Sequence, residues 1–299
     1  MIIPPFRITL SGGGIRGLAH IGALEVLEER GMLRTVKEYL GISAGALIAF
    51  CLCVGTTLSE LRMMSTLLDF GKIRDLEPES VLSFLETFGL DTGANLEKLA
   101  RAILRAKGLS PTLTFEELAA ARPALPRLRI FATDLNTCTI TELSATTSPT
   151  MELTAALRAS TCIPIYFQPV VHPVTGHSLV DGGVVSHSPF MFLTPEEADT
   201  TLSITFSDEH KPTGEIRDFK DFLVQLYYAF DFYFNQELTD KRKHQVLFVR
   251  TGRLNSLDFE LSQDERIVLM NMGRISAAEF LSSFPGLRRR AVVRRFSVA

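Results

Sequence analysis

The sequence predicts an α/β fold built around a parallel sheet. Phe6 to Leu10 is a short apolar segment that runs straight into Gly12-Gly13-Gly14. Behind those glycines Leu18, Ile21, Ala23, Leu24, Val26 and Leu27 recur with helical spacing as far as Gly31. The order of strand, tight turn and helix then repeats before Gly55, and such repetition is how parallel strands are connected.

In the second unit Val36 to Ile42 reads as a strand and Ala44 to Gly55 as a buried helix starting directly after Ser43. From Leu58 to Arg122 the pattern is helical and interrupted, over Leu58 to Phe70, Leu96 to Lys107 and Phe115 to Arg122, with Thr114 as the N-cap of the last. This stretch reads as a helical insertion. Strands return at Arg129 to Leu135 and Thr139 to Leu143, a helix at Met151 to Ser160, and a strand at Ser178 to Val180 that ends in Asp181-Gly182-Gly183. Leu202 to Phe206 and Val246 to Arg250 are further strands, separated by a polar loop from Ser207 to Arg217 and an aromatic-rich segment from Asp218 to Leu238. In that segment Phe219, Leu223, Leu226, Phe230 and Phe234 form one helical stripe of core type, while Tyr228 and Phe232 fall outside it and leave room for a lid. The expected organisation is a catalytic core over residues 6–206, with residues 207–299 completing the same domain and ending in a basic tail at 287–299.

Composition narrows the function classes. With 46% apolar and 22% charged residues in 299, the chain has the makings of a real core. A net charge of −3, from 31 basic and 34 acidic side chains, offers no footprint for nucleic acid. Arg288, Arg289, Arg290, Arg294 and Arg295 make the tail locally basic, either as a solvated end or as a contact for an anionic membrane. Cys51, Cys53, Cys138 and Cys162 lack metal spacing and read as buried thiols in a reducing compartment. No signal peptide is expected at Met1 to Leu10. The longest apolar run, Ala44 to Val54, falls short of the ~20 residues that cross a bilayer. A cytoplasmic or peripherally membrane-bound protein is therefore expected.

Gly41-Ile42-Ser43-Ala44-Gly45 matches GxSxG, the elbow between strand and helix in which small neighbours leave a serine hydroxyl exposed at a helix start. The competing reading of Ser43 is a simple helix cap. Ser11-Gly12-Gly13-Gly14-Ile15-Arg16-Gly17 also follows a strand and opens a helix, so its amides can converge on an anion. Gly12, Gly14 and Gly17 satisfy GxGxxG, which admits a nucleotide-binding module. That reading expects an acidic residue at the end of the next strand, where Gly41-Ile42-Ser43 stands instead. An oxyanion hole with Arg16 nearby accommodates both motifs. Asp181, at a strand end before Gly182 and Gly183, could take the proton of a serine or could simply belong to a turn. A Ser-His-Asp esterase is the alternative, with His187 the first histidine in α/β-hydrolase order. A scaffold that has kept the fold without turnover is the non-enzymatic alternative.

Taken in order, Ser11 to Gly17, Gly41 to Gly45 and Asp181 to Gly183 resemble the motifs of the patatin-like phospholipase family, as do Phe131 to Thr137 and Ala159 to Val170. The resemblance covers roughly Phe6 to Pro189. It implies a three-layer α/β/α sandwich with a mostly parallel central sheet and hydrolysis of acyl esters in lipids or phospholipids, with neither metal nor organic cofactor. It further implies Ser43 as nucleophile, Asp181 as proton acceptor without histidine, Gly12, Gly13, Gly14, Arg16 and Gly17 as the oxyanion loop, and Gly41, Gly45, Gly182 and Gly183 in support. Three positions depart from the pattern: Cys138 where glycine is frequent, His187 where asparagine is frequent, and Ser11 where some relatives carry aspartate.

Overall fold

The computed structural model describes residues 4–73, 78–206, 215–217, 221–222, 225, 242–252 and 260–283. The basic tail lies outside them, as does the aromatic segment except for Asp221, Phe222 and Gln225.

In chain order the strands are β1 (Arg7–Leu10), β2 (Glu38–Gly41), β3 (Gly89–Asp91), β4 (Arg127–Asp134), β5 (Thr139–Ser144), β6 (Ile165–Phe167), β7 (Val170–Val171), β8 (Ser178–Asp181), β9 (Thr201–Phe206) and β10 (Val246–Val249). The helices are α1 (Leu18–Glu29), α2 (Ala44–Cys53), α3 (Leu58–Leu67), α4 (Pro78–Thr87), α5 (Ala94–Ala106), α6 (Phe115–Ala121), α7 (Leu153–Ser160), α8 (Pro195–Asp199) and α9 (Gln263–Ser282). The main sheet runs β10-β9-β1-β2-β4-β8-β7, with β5 also on β4. Its β10, β9, β1, β2 and β4 are parallel neighbours, while β4 pairs antiparallel with β5 and β8. Helices flank this mostly parallel sheet in a three-layer α/β/α sandwich.

Successive strand residues face opposite sides of the sheet, and both sides are buried. Ile8 and Leu10 point into the large core shared with α1 and α2, whereas Leu40, Ile42 and Phe131 form a separate cluster covered by Phe192 and Leu193. At the other end of the strands, Glu38 is buried but flanked in register by Arg7 on β1 and Arg127 on β4, at 2.5 and 2.6 Å. Such pairing is what makes a buried carboxylate tolerable.

The expected helical insertion is partly corrected. Helices α3, α5 and α6 form where the spacing predicts, and Thr114 makes a capping box with Glu117. The stretch also contains α4 and the strand β3, which pairs with β6 as a separate two-stranded sheet. A three-residue strand shows too little alternation to be read from sequence. Beyond the aromatic segment, α9 packs along α1. A Cβ on Gly22 would stand 1.7 Å from the Met270 carbonyl oxygen, and one on Gly273 1.8 Å from that of Ala19. The two helices therefore touch through bare backbone at two reciprocal positions.

Candidate active site

The sheet brings the two separated motifs together. On one edge of β4, Gly41 of β2 lies opposite Ile130 and Asp181 of β8 lies opposite Ala132. Both must share that edge, because β5 pairs with Ile130 and Ala132 along the other. Since β8 runs antiparallel to β4 and β2 runs parallel to it, the C-terminal ends of β2 and β8 meet head to head. Ser43 follows the first end and Asp181 closes the second.

Ser43 has φ +54° and ψ −122°, a backbone conformation rarely adopted by residues with a side chain. Its neighbours show why small residues are needed around it. A Cβ at Gly45 would meet the Leu10 carbonyl oxygen at 2.1 Å, and one at Gly41 would meet Ala46 at 2.4 Å. The Ser43 amide donates to Ser160 Oγ at 2.9 Å, and that hydroxyl in turn donates to the Phe131 carbonyl at 2.7 Å. Although Ser43 is the N-cap residue of α2, its side chain makes no capping hydrogen bond, so the hydroxyl is not spent on the helix.

Asp181 is fully buried. Its backbone is pinned by its N–H donating to Cys162 O at 2.7 Å and by Thr133 Oγ1 donating to its carbonyl at 3.0 Å. Oδ1 accepts the Gly183 amide at 2.7 Å. Loss of hydration pushes the carboxyl up to about 7, opposed by the Gly183 amide and by the nearby Ser43 hydroxyl. Oδ2 makes no hydrogen bond of ordinary geometry although the Ser43 hydroxyl lies near enough to lower the carboxyl's pKa, so one carboxylate oxygen is left ready to accept.

The glycine loop borders the same point. Gly13 and Gly14 enter a 3-10 turn, Gly14–Gly17, that leads into α1. The Gly12 amide is taken, donating to the His187 carbonyl at 2.9 Å. The Gly13 and Gly14 amides have no acceptor among the described residues. Arg16 does not reach across the loop as a bare charge. Its guanidinium lies 4.9 Å from the centre of the Phe206 ring, and the edge of that ring fills the space a Gly13 side chain would need. His20 braces the loop from beneath. Its Nε2 lies 3.0 Å from the Ser11 carbonyl, which can only accept, so Nε2 carries the proton. Burial holds His20 neutral, with its pKa lowered to about 4.

Gly182 and Gly17 also sit where a side chain cannot. Cβ atoms there would approach the Phe131 carbonyl at 2.8 Å and the Ala44 side chain at 2.7 Å. His187 is buried, and its Nδ1 would be 3.2 Å from a Cβ on Gly12, which places it beside the loop. Reading all four cysteines as buried thiols is corrected at Cys138, which is exposed. Its φ of +54° explains why glycine suits that position. Ser160 and His20 contact the site, though no motif of the sequence marks either as a working part. Ser160 lies inside the family-like stretch from Ala159 to Val170, whereas His20 had no motif around it.

Ser43 opens onto an apolar cavity of about 140 Å³ between α2, α3 and α5, with Leu47, Met64, Leu68, Leu99 and Phe167 in its walls. A larger cavity of about 470 Å³ lies at the opposite end of β2 and β4, around Glu38 and Arg129, and carries neither Ser43 nor Asp181. Among the described residues, no group of three or more His, Cys, Asp or Glu is placed to hold a metal ion.

The architecture is shared with two solved bacterial proteins. VipD from Legionella pneumophila superposes with a TM-score of 0.58 at 17% identity, over 94% of this chain and 67% of that one. The type III effector ExoU of Pseudomonas aeruginosa gives 0.57 at 18%, over 94% and 53%. At such identities the likeness shows the fold alone. Among sequence relatives, an uncharacterized protein of Bacillus subtilis is 28% identical over 92% of this chain and 97% of its own. A probable lipid hydrolase of Invertebrate iridescent virus 6 is 28% identical over 61% of each. The class these findings define is an α/β/α sandwich fold. More specifically, the model for patatin-like phospholipase matches residues 8–194, and the chain belongs to that family.

Proposed function

We propose that the protein is an acyl hydrolase of phospholipase A or lysophospholipase type, working through Ser43 and Asp181. The observation that carries this reading is a strained, uncapped Ser43 hydroxyl beside a buried carboxyl whose free oxygen titrates near neutrality. A base with a pKa near the working pH combines a useful ionised fraction with enough basicity to take the serine proton.

In the first half of the reaction Ser43 Oγ attacks the ester carbonyl as its proton passes to Asp181 Oδ2. The C=O electron pair becomes an oxyanion, held by the Gly13 and Gly14 amides. Collapse expels the alcohol portion of the lipid, which takes the proton back from Asp181, and leaves an acyl-Ser43 ester. Water then repeats the sequence and releases the fatty acid. The apolar cavity beside Ser43 receives the acyl chain, removing it from water without requiring any charged partner.

A triad with His187 would place an imidazole on the acid. The groups that set the Asp181 pKa are instead its burial, the Gly183 amide and Ser43 itself, which supports direct proton transfer. The test compares hydrolysis of short- and long-chain esters by the wild type, Ser43→Ala and Asp181→Asn. Both variants should lose activity. Turnover surviving in either one, or loss in His187→Ala with retention in Asp181→Asn, would overturn the dyad.

A further inference from the structure

The cavity at Ser43 has a direction, set by three helices. Along α2 its wall is made by Ala44, Leu47, Ile48 and Cys51, which recur on one face of the helix. Ala44 and Leu47 are half-buried, whereas Ile48 and Cys51 are buried, so the space closes as it leaves the serine.

Helices α5 and α3 fix which end is which. The start of α5 lies at the serine end. A Cβ on its N-cap residue Gly93 would stand 1.9 Å from Arg158 Nε, and Arg158 belongs to α7, whose Ser160 holds the Ser43 amide. The other end of α5 reaches Cys51, because its closing residue Lys107 is near enough for its charge to act on the Cys51 thiol. Lys107 Nζ also donates to both Glu60 carboxylate oxygens at 2.8 Å, which puts the start of α3 at this same end. The wall residues within one turn of that ion pair, Leu61 and Ile103, are 4% and 6% exposed, and Cys51 is 1% exposed. These three side chains are the floor of the cavity. A chain pushed past them would strip water from the Lys107–Glu60 pair, which is costly.

Two measures of the depth agree. At 1.5 Å per residue of α2, Cys51 stands about 12 Å beyond Ser43, the length of an extended hydrocarbon chain of roughly ten carbons. At about 10–15 Å³ of open space for each water-sized group, 140 Å³ takes roughly ten such groups, and a methylene is about that size.

We infer that the cavity is a ruler for the acyl chain, with Cys51 and Ile103 as its stop, and that the preferred lipid esters carry an acyl group of roughly ten carbons. This rests on the Ser43 reading above and deepens it, giving Cys51 a part in chain-length selection that involves no chemistry at sulfur. The thiol suits that part. Burial pushes it up to about 12, with Lys107 opposing, so it stays uncharged against the chain.

The experiment measures kcat/KM of the full chain on p-nitrophenyl esters of four to sixteen acyl carbons, in a fixed amount of nonionic detergent. Values should climb by up to about fourfold per methylene as far as about ten carbons and then fall. Cys51→Phe puts a ring into the floor and should lower the ratio of decanoyl to butyryl kcat/KM at least about tenfold. Ile103→Ala opens the floor and should move the maximum to longer chains. Ratios are read within each variant, so an incompletely folded preparation lowers both values alike. A wild-type profile still rising at sixteen carbons would overturn the ruler. So would a decanoyl-to-butyryl ratio in Cys51→Phe equal to that of the wild type, or a maximum that Ile103→Ala leaves in place. The two readings fail separately. Ser43→Ala should be inactive at every length, and turnover in it with the wild-type profile would remove the dyad and leave the ruler standing. A flat wild-type profile beside an inactive Ser43→Ala would do the reverse.

Discussion

The Ser43 amide is held at 2.9 Å by the Ser160 hydroxyl, which is itself anchored 2.7 Å from the Phe131 carbonyl. This relay ties the strained elbow to β4 and α7, so the position of the Ser43 hydroxyl depends on a residue outside the proposed dyad. Ser160→Ala should leave a buried N–H and a buried C=O without their partners. A loss of about 1–3 kcal/mol per group is expected, shared between stability and the elbow geometry. Assays on a soluble ester should show kcat falling more than tenfold with little change in KM. An unchanged kcat would mean that the elbow holds itself.

A second prediction separates strain from chemistry at the same residue. Ser43→Gly and Ser43→Ala both remove the hydroxyl, but only glycine relieves φ +54°, ψ −122°. Against a strain of about 1–3 kcal/mol stands the extra chain entropy of glycine, so the Gly variant should exceed the Ala variant by about 1 kcal/mol. Denaturant midpoints of the two inactive proteins check this. An Ala variant of equal or greater stability would show that the conformation carries no strain.

These residues also mark how far the site could be read in advance. Ser43, Asp181 and the glycine loop are legible because close backbone approach demands glycine at fixed offsets, and the offsets survive in sequence. Gly41, Gly45 and Gly182 each lie against backbone atoms nearer than 3.0 Å to where a Cβ would stand. Ser160 and His20 are illegible for the opposite reason, since Ser160 acts through hydrogen bonds to two distant backbone groups, the Ser43 amide and the Phe131 carbonyl, and His20 through one to the Ser11 carbonyl, and none of these leaves a spacing motif. Helix α9 escapes for a different cause. It meets α1 partly through Gly273 rather than through an unbroken row of large apolar residues, so its periodicity is weak.

The Gly22 and Gly273 contact yields a prediction about folding alone. Gly273→Ala would force a methyl group to within 1.8 Å of the Ala19 carbonyl oxygen, so α1 and α9 must separate. Overpacking of this kind costs about 1–3 kcal/mol and sometimes more, outweighing the small gain in helix propensity. The melting temperature should drop by several degrees, with the activity per folded molecule retained. A Tm equal to or above that of the wild type would refute the close crossing.

The pH behaviour follows from two buried groups that pull in opposite directions. Asp181 must be ionised to accept a proton, so kcat/KM should rise through about pH 7 and fall about tenfold per unit below it. Its effect on stability has the reverse sign. Because the folded pKa lies above the ordinary value near 3.8, the folded state binds more protons between about pH 4 and 7, and stability declines as pH rises across that window. Asp181→Asn removes the buried charge and should be more stable than the wild type at pH 8, by an amount on the order of 4 kcal/mol. His20, lowered from 6.5 to about 4, acts oppositely: the unfolded chain takes up its proton first, so stability is lost as pH falls from 6.5 toward 4. The two contributions offset each other in the wild type, and removing Asp181 exposes the histidine. Melting curves of Asp181→Asn should therefore show a steeper acid-side loss than the wild type, and replacing His20 by Gln in that background should flatten it. Parallel pH profiles for all three proteins would mean that neither group is as deeply desolvated as the fold places it.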